Sequence, residues 1–206
     1  MKVVSNTAIS LDGRIATAAY EHQAIGTATD RRYMSVLRAR ADAVLVGGRT
    51  FRNWPLPLVP DEGDIAQLRR EQFFDHDVPP LLERRWVNAV VTRGDDIAPR
   101  RDDPRVERVF YRPSPGAAGL KGVLADLGRR GVETCLLECG GDLLAQFLAA
   151  RLVHEVYVTV CPVVLGGRGA PSLVDGEGFS HARAPRLRLL HAVPVGGEVY
   201  CRYAVV

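Results

Sequence analysis

The sequence predicts an α/β protein with one mixed sheet, mostly parallel, flanked by helices and closed by an antiparallel hairpin at its C-terminal edge. Three observations carry this. Short apolar runs alternate with amphipathic segments from the N-terminus to about residue 153. From residue 154 onward the chain reads as strands without another helix. The final two, "LRLLHAVPV" and "VYCRYAVV", flank Gly196-Gly197, a pair suited to a hairpin turn.

In chain order, residues 3–9 read as a strand, and "SLDGRIA" follows as a turn centred on Asp12-Gly13. Thr29 and Asp30 mark the start of a helix running to about Ala39, with Met34, Leu37 and Ala41 on its apolar face. "ADAVLVGG" is a buried strand ending in glycines. The stretch from Trp54 to Leu82 is rich in proline and charge and reads as an elaborated surface loop, with a short helix over residues 64–74. "WVNAVVTRG" is another apolar strand, and "RVERVFY" alternates like a half-buried one. An amphipathic helix over residues 119–130 leads to a strand over 134–138, then to the helix of "GDLLAQFLAARLV" and the strand "HEVYVTVCPVVLG". No internal repeat or low-complexity tract interrupts this order, so a single domain is expected.

Composition narrows the function. The 206 residues carry a net charge of +3, 47% hydrophobic and 25% charged residues, the balance of a globular protein with a sizeable core. The basic residues are nearly all arginine, which GC-rich codons explain more simply than phosphate binding does. No basic run carries the interleaved aromatics of a single-strand binder, so no nucleic acid is expected. The opening "MKVVSNTAISLDG" is too short in its apolar part for a signal peptide or a membrane span. Cys135, Cys139, Cys161 and Cys201 form no CxxC pair and stand apart from the five histidines. We expect reduced core thiols, a cytoplasmic setting and no metal site.

The unusual residues cluster where strands end. "LLECGGDLLAQFL" puts an acid, Glu138, at the end of an apolar strand, then two glycines and a helix. A buried carboxylate is unfavourable without a partner. Free amides at a helix start favour a phosphate, and glycine lets its oxygens approach. The same stretch also reads as a tight turn with Asp142 as N-cap. Gly47-Gly48-Arg49-Thr50 is a second such junction, and two of them suit a dinucleotide pyrophosphate better than one. Neither is a P-loop or a GxGxxG fingerprint. Thr92 and Arg93 end a third strand, either as a solvated turn or as a reader of an adenosine 2′-phosphate, which selects NADPH over NADH. Asn6, Asp30 and Glu138 are the polar residues placed near a reacting group. Asp30 also suits a plain first-turn position. A partly buried carboxyl has its pKa raised by desolvation and can act as a general acid beside a hydride donor.

Four segments in order, "VVSNTAISLDGRIA", "IGTATDRRYMSVLRARADAVLVGGRTF", "LLECGGDLLAQFLAARLVHEVYVTVCPVVLGG" and "APSLVDGEGF", resemble the pyrimidine reductases of riboflavin biosynthesis. The resemblance spans most of the chain. It implies the dihydrofolate reductase fold with about eight strands, bound NADPH and a homodimer. The implied reaction reduces the ribosylamino side chain of a phosphorylated aminouracil to ribitylamino. On that template Gly140, Gly141, Asp142 and Leu143 hold the pyrophosphate, helped by Gly47 and Thr50, while Asn6, Asp30 and Glu138 face nicotinamide and substrate. The chain departs from the family after the glycine strand. It reads "GGRTFRNWPLPLVPDEG" in place of a segment with paired aspartates, Cys139 precedes Gly140-Gly141 where a glycine is usual, and no fused deaminase domain is expected. "GGRTF" and the place of Asp30 are similar to dihydrofolate reductases. A pterin- or pyrimidine-like substrate, and a nucleotide-binding module without turnover, are the alternatives.

Overall fold

A computed structural model describes residues 1–21, 24–70, 85–94 and 101–206. Its elements follow the expected order: β1 (Lys2–Ser10), α1 (Ala28–Ala39), β2 (Ala43–Gly47), α2 (Gly48–Asn53), α3 (Glu62–Arg70), β3 (Trp86–Val91), β4 (Val106–Tyr111), α4 (Ala117–Arg129), β5 (Thr134–Leu137), α5 (Gly141–Ala149), β6 (Glu155–Cys161), β7 (Leu187–Val195) and β8 (Glu198–Val205). They form one eight-stranded sheet in the order β4-β3-β2-β5-β1-β6-β8-β7. Pairing is parallel from β4 through β6, and β8 runs antiparallel to both β6 and β7. The predicted class holds, hairpin included.

Alternation along the parallel strands builds a core on each face. In β2, Ala43 and Leu45 point to one side, where Leu120, Val123 and Leu127 of α4 and Leu144 and Phe147 of α5 cover them. Val44 and Val46 point to the other, against Tyr33, Val36 and Leu37 of α1 and Ile65 and Leu68 of α3. Strands buried on both faces explain the unbroken apolar runs in the sequence.

Several boundaries differ from expectation. α1 begins at Ala28 because Thr27, in extended conformation, accepts a hydrogen bond from the Thr29 amide on its hydroxyl, at 3.2 Å. Asp30 therefore lies in the first turn. α3 starts at Glu62, earlier than expected, with Glu62 and Asp64 in its first turn, where the helix dipole favours acids. The expected end of that helix at Phe74, and the loop as far as Leu82, lie outside the described residues. Gly140 caps α5 by its backbone alone, so Asp142 sits inside the first turn and is not the N-cap.

The register opens a gap in the sheet beside β1. β1 pairs with β5 only as far as Ser5↔Leu137, yet with β6 it continues to Ser10↔Cys161. From Asn6 onward the sheet is open on one side of β1. The chain crosses from β1 to β2 in one direction and from β5 over β1 to β6 in the other, so this is a switch point. Open α/β sheets place ligands at such points.

Candidate active site

A cleft of about 1290 Å³ occupies this gap. Among its lining residues are Asn6, Asp30, Gly47, Arg49, Thr50, Thr92, Arg93, Glu138 and the run from Gly140 to Leu143. All the residues singled out in the sequence therefore border one space, though with different surroundings.

Asn6 is 9% exposed, and its Oδ1 accepts no hydrogen bond among the described residues. A buried, unpaired amide oxygen is unfavourable by about 1–3 kcal/mol unless a ligand supplies the donor. This leaves a buried acceptor in the lining of the cleft.

Gly140 and Gly141 are adjacent but are glycines for different reasons. A Cβ on Gly140 would have no described atom within 4 Å, and its backbone (φ −70°, ψ 166°) suits any residue. The missing side chain leaves room at the start of α5. A Cβ on Gly141 would stand 2.6 Å from Asp175 Oδ2 and closer still to the Ser172 carbonyl oxygen. Gly141 lets the loop around residues 172–175 close on the helix. Gly47 resembles Gly140 in being an N-cap without a side-chain hydrogen bond. Gly48 resembles Gly141, since a Cβ there would lie 2.6 Å from Thr92 Oγ1.

Thr92 is buried, and its hydroxyl closes a local turn by accepting from the Gly94 amide at 3.1 Å. Arg93 is exposed at the rim. Arg49, also exposed, stacks on Tyr20 with its guanidinium carbon 4.9 Å from the ring centroid, and its Nη1 donates to the tyrosine hydroxyl at 2.9 Å.

The two acids differ in electrostatic setting. Glu138 leaves the end of β5 and meets Arg38 from the last turn of α1. Arg38 Nε and Nη2 donate to the two carboxylate oxygens at 2.8 and 2.7 Å. Burial alone would lower the Arg38 pKa, but Glu138 more than offsets it and the net direction is upward. Arg38 also donates to the Val59 carbonyl oxygen at 3.4 Å, and Asn88 of β3 exchanges two hydrogen bonds with the Leu58 backbone at 2.7 and 3.0 Å. Together they pin the loop that carries Trp54 to the cleft wall.

Among the described residues no cation clamps Asp30 in this way. Burial raises its pKa from 3.8 to about 6; a hydrogen bond from Thr159 lowers it, the charges of Glu198 and Glu138 raise it, and Arg31 lowers it. Glu198 is fully buried, and its two oxygens accept from the Thr27 amide and hydroxyl, each at 2.7 Å. It also accepts from the Tyr200 hydroxyl. Glu198 thus ties β8 to the cap of α1 and sets a second carboxylate near Asp30.

Sequence reasoning did not find Arg38, Glu198, Asn88 or Trp54. Arg38 had a signal, because it lies between buried Leu37 and Ala39, where an unpaired cation is unfavourable. Among the described residues no group of three or more His, Cys, Asp or Glu is arranged to hold a metal, and no helix is long and apolar enough to cross a membrane. All four cysteines are free thiols.

The family model described as RibD C-terminal domain matches residues 1–201. The 2,5-diamino-6-ribosylamino-4(3H)-pyrimidinone 5′-phosphate reductase of Methanothermobacter thermautotrophicus is 32% identical over 213 residues, spanning 98% of this chain and 97% of its own length. The protein of the same name from Archaeoglobus fulgidus is 29% identical over 219 residues, with the same coverage. Among solved structures, Acinetobacter baumannii RibD superposes with a TM-score of 0.76 at 20% identity. A deaminase/5-amino-6-(5-phosphoribosylamino)uracil reductase of Thermotoga maritima gives 0.66 at 18%. This chain spans 58% and 56% of those two chains. Dihydrofolate reductase from Enterococcus faecalis gives 0.55 at 13%, across 99% of this chain and 96% of that one, so the fold is dihydrofolate reductase-like.

Proposed function

This chain belongs to the RibD C-terminal domain family, and from that premise we propose that it is an NADPH-dependent reductase of the riboflavin-biosynthesis type, acting on the ribosylamino side chain of a phosphorylated aminopyrimidine. The observation that carries the reading is the pairing, in one cleft, of the orphaned Asn6 Oδ1 with the uncrowded glycine start of α5.

These residues fit a dinucleotide. Gly140 leaves room for pyrophosphate oxygens, the first-turn amides of Gly141, Asp142 and Leu143 and the helix dipole favour its charge, and Gly47 and Thr50 border the other side. Arg93 and Arg49 are the rim cations for a 2′-phosphate, and Thr92 shapes the turn that presents Arg93. When bound, the nicotinamide supplies the hydride. Asn6, Asp30 and Glu138 meet the substrate. Glu138, held on both oxygens by Arg38, is a fixed acceptor that orients it. As hydride joins the sugar carbon, that carbon's bond to the ring oxygen breaks, the ring opens, and the released oxygen takes up a proton. Water at the open mouth supplies it, and Asp30 is the titratable group through which pH reaches the bound substrate.

A homodimer and a cytoplasmic setting belong to the same proposal. β7 is an edge strand with Leu187, Leu189 and Leu190 exposed at 47%, 53% and 38%, a surface that a second copy would cover. Free thiols suit a reducing compartment.

The test uses Asp30→Asn and Glu138→Gln. Both should bind NADPH within about threefold of wild type while kcat/KM for the pyrimidine falls on the order of 10²-fold. Normal kcat/KM in both variants would remove these residues from the substrate half of the cleft.

A further inference from the structure

Among the described residues Glu198 is the one acid buried as a whole residue, at 1% exposure. A carboxylate in that setting is unfavourable without donors. Three converge on it: the Thr27 amide, the Thr27 hydroxyl and the Tyr200 hydroxyl. The Thr27 hydroxyl in turn accepts from the Thr29 amide at 3.2 Å. One residue of β8 therefore fixes the N-cap of α1, 171 residues earlier in the chain.

The sheet register brings this clamp to the cleft wall. β6 and β8 pair with Thr159 opposite Tyr200, and Glu198 lies two residues from Tyr200, so all three side chains leave the sheet on the face that α1 covers. Asp30 meets the same place from the first turn of α1, where Thr159 donates to its carboxyl. Gly26 packs against that carboxyl so closely that a Cβ on Gly26 would stand 2.2 Å from Oδ2 and 2.6 Å from Cγ. Thr27, which Glu198 holds, is thus the chain neighbour of the residue on which Asp30 rests. Gly26 and Asp30 line the cleft, with Glu198 buried behind them. The other charged or titratable neighbours of Asp30 are Arg31 on its own helix, Glu138 beyond β5, Tyr200 of β8 and Cys161 of β6.

We propose that Glu198 is a positioning residue for the reaction in this cleft: by clamping Thr27 it holds the Gly26 backbone against Asp30 and so fixes where the Asp30 carboxyl stands. Glu198 touches neither substrate nor cofactor and acts through Asp30. The inference rests on the reading of Asp30 as a group that faces the substrate. Besides holding the cap, Glu198 acts on Asp30 by charge. Burial is the main influence raising the Asp30 pKa to about 6, and the charge of Glu198 adds to it. A residue that served only the fold would leave both the place and the titration of Asp30 unchanged when replaced.

The test begins without substrate. The titration midpoint of the Asp30 carboxyl, followed by carbon-13 NMR on the full chain, should lie at about 6 in the wild type and at lower pH in Glu198→Gln, because the amide removes the neighbouring charge. In NADPH oxidation with the ribosylaminopyrimidine phosphate, Glu198→Gln should lower kcat about tenfold, since an amide cannot accept three donors on both its atoms. Its NADPH affinity should stay within about threefold of wild type. Thr27→Ala, which loosens the clamp and keeps the charge, should lower kcat by a similar factor with the Asp30 midpoint near that of the wild type. Thr27→Ser keeps the hydroxyl and should restore kcat. A folded Glu198→Gln protein with unchanged midpoint and kcat, or equal kcat in Thr27→Ala and Thr27→Ser, would overturn the inference. Either result beside lost turnover in Asp30→Asn sinks this inference alone. No pyrimidine-dependent oxidation by the wild type sinks the enzymatic reading beneath it.

Discussion

Replacing Gly141 by alanine and Gly140 by valine tests whether two adjacent glycines serve different ends. At Gly141 the new methyl would stand 2.6 Å from Asp175 Oδ2 and closer to the Ser172 carbonyl oxygen. Neither neighbour yields easily. They belong to a turn in which Asp175 Oδ1 accepts from the Ser172 amide at 3.0 Å and its hydroxyl at 2.6 Å. Overpacking of this kind is destabilising by about 1–3 kcal/mol. For a chain of this size, 2 kcal/mol lowers Tm by roughly 4–8 °C. At Gly140 the backbone is ordinary and no described atom lies within 4 Å of the added Cβ, so Gly140→Val should melt within about 1 °C of wild type. Its branched side chain would instead fill the room proposed for the pyrophosphate, and NADPH affinity should fall about tenfold or more. Calorimetry gives Tm, and fluorescence titration gives the dissociation constant. A Gly140→Val protein that melts several degrees lower and still binds NADPH normally would refute the reasoning and make Gly140 a structural turn.

Three further outcomes follow from the same geometry. A folded-state pKa raised from 3.8 to about 6 means Asp30 favours folding only while protonated, and that stability is lost as pH rises from about 4 through 6. Asp30→Asn should therefore be more stable than wild type at pH 7, by about 2–3 kcal/mol in urea titrations, and no more stable at pH 4. Arg38→Leu leaves Glu138 as an uncompensated, largely buried carboxylate, so stability should drop by about 3–5 kcal/mol, with Arg38→Leu/Glu138→Gln recovering much of it in a double-mutant cycle. NADPH should bind more tightly than NADH by about 1.5–3 kcal/mol, and Arg93→Ala should narrow that gap without altering Tm.

The fold was legible because its central strands are buried on both faces. Unbroken apolar runs such as "ADAVLVGG" leave little else to be, and Gly196-Gly197 announces the hairpin. Boundaries were less so. Thr27 caps α1 through its own hydroxyl, and Gly140 displaces Asp142 as the cap of α5 by backbone conformation alone, choices that depend on a few dihedral angles. At the site, the residues singled out from glycine junctions and from polar positions in apolar strands border one cleft. Their partners were not readable, since Arg38 lies 100 residues before Glu138 and Glu198 lies 171 residues after Thr27. Only the sheet order brings those pairs together. Sequence spacing likewise offers no means of telling two acids apart, whereas a guanidinium clamped on both oxygens of one and burial as the main influence on the other separate Glu138 from Asp30.

The central claim is that the cleft beside β1 reduces a phosphorylated ribosylaminopyrimidine with NADPH. The most direct measurement follows the loss of NADPH absorbance at 340 nm when the purified chain is given the ribosylamino 5′-phosphate of 2,5-diaminopyrimidinone, with 5-aminouracil and dihydrofolate counterparts in parallel. The account predicts substrate-dependent oxidation with the pyrimidine phosphates and a ribitylamino product by mass spectrometry. Tight NADPH binding without oxidation by any pyrimidine phosphate, or oxidation with dihydrofolate alone, would contradict it.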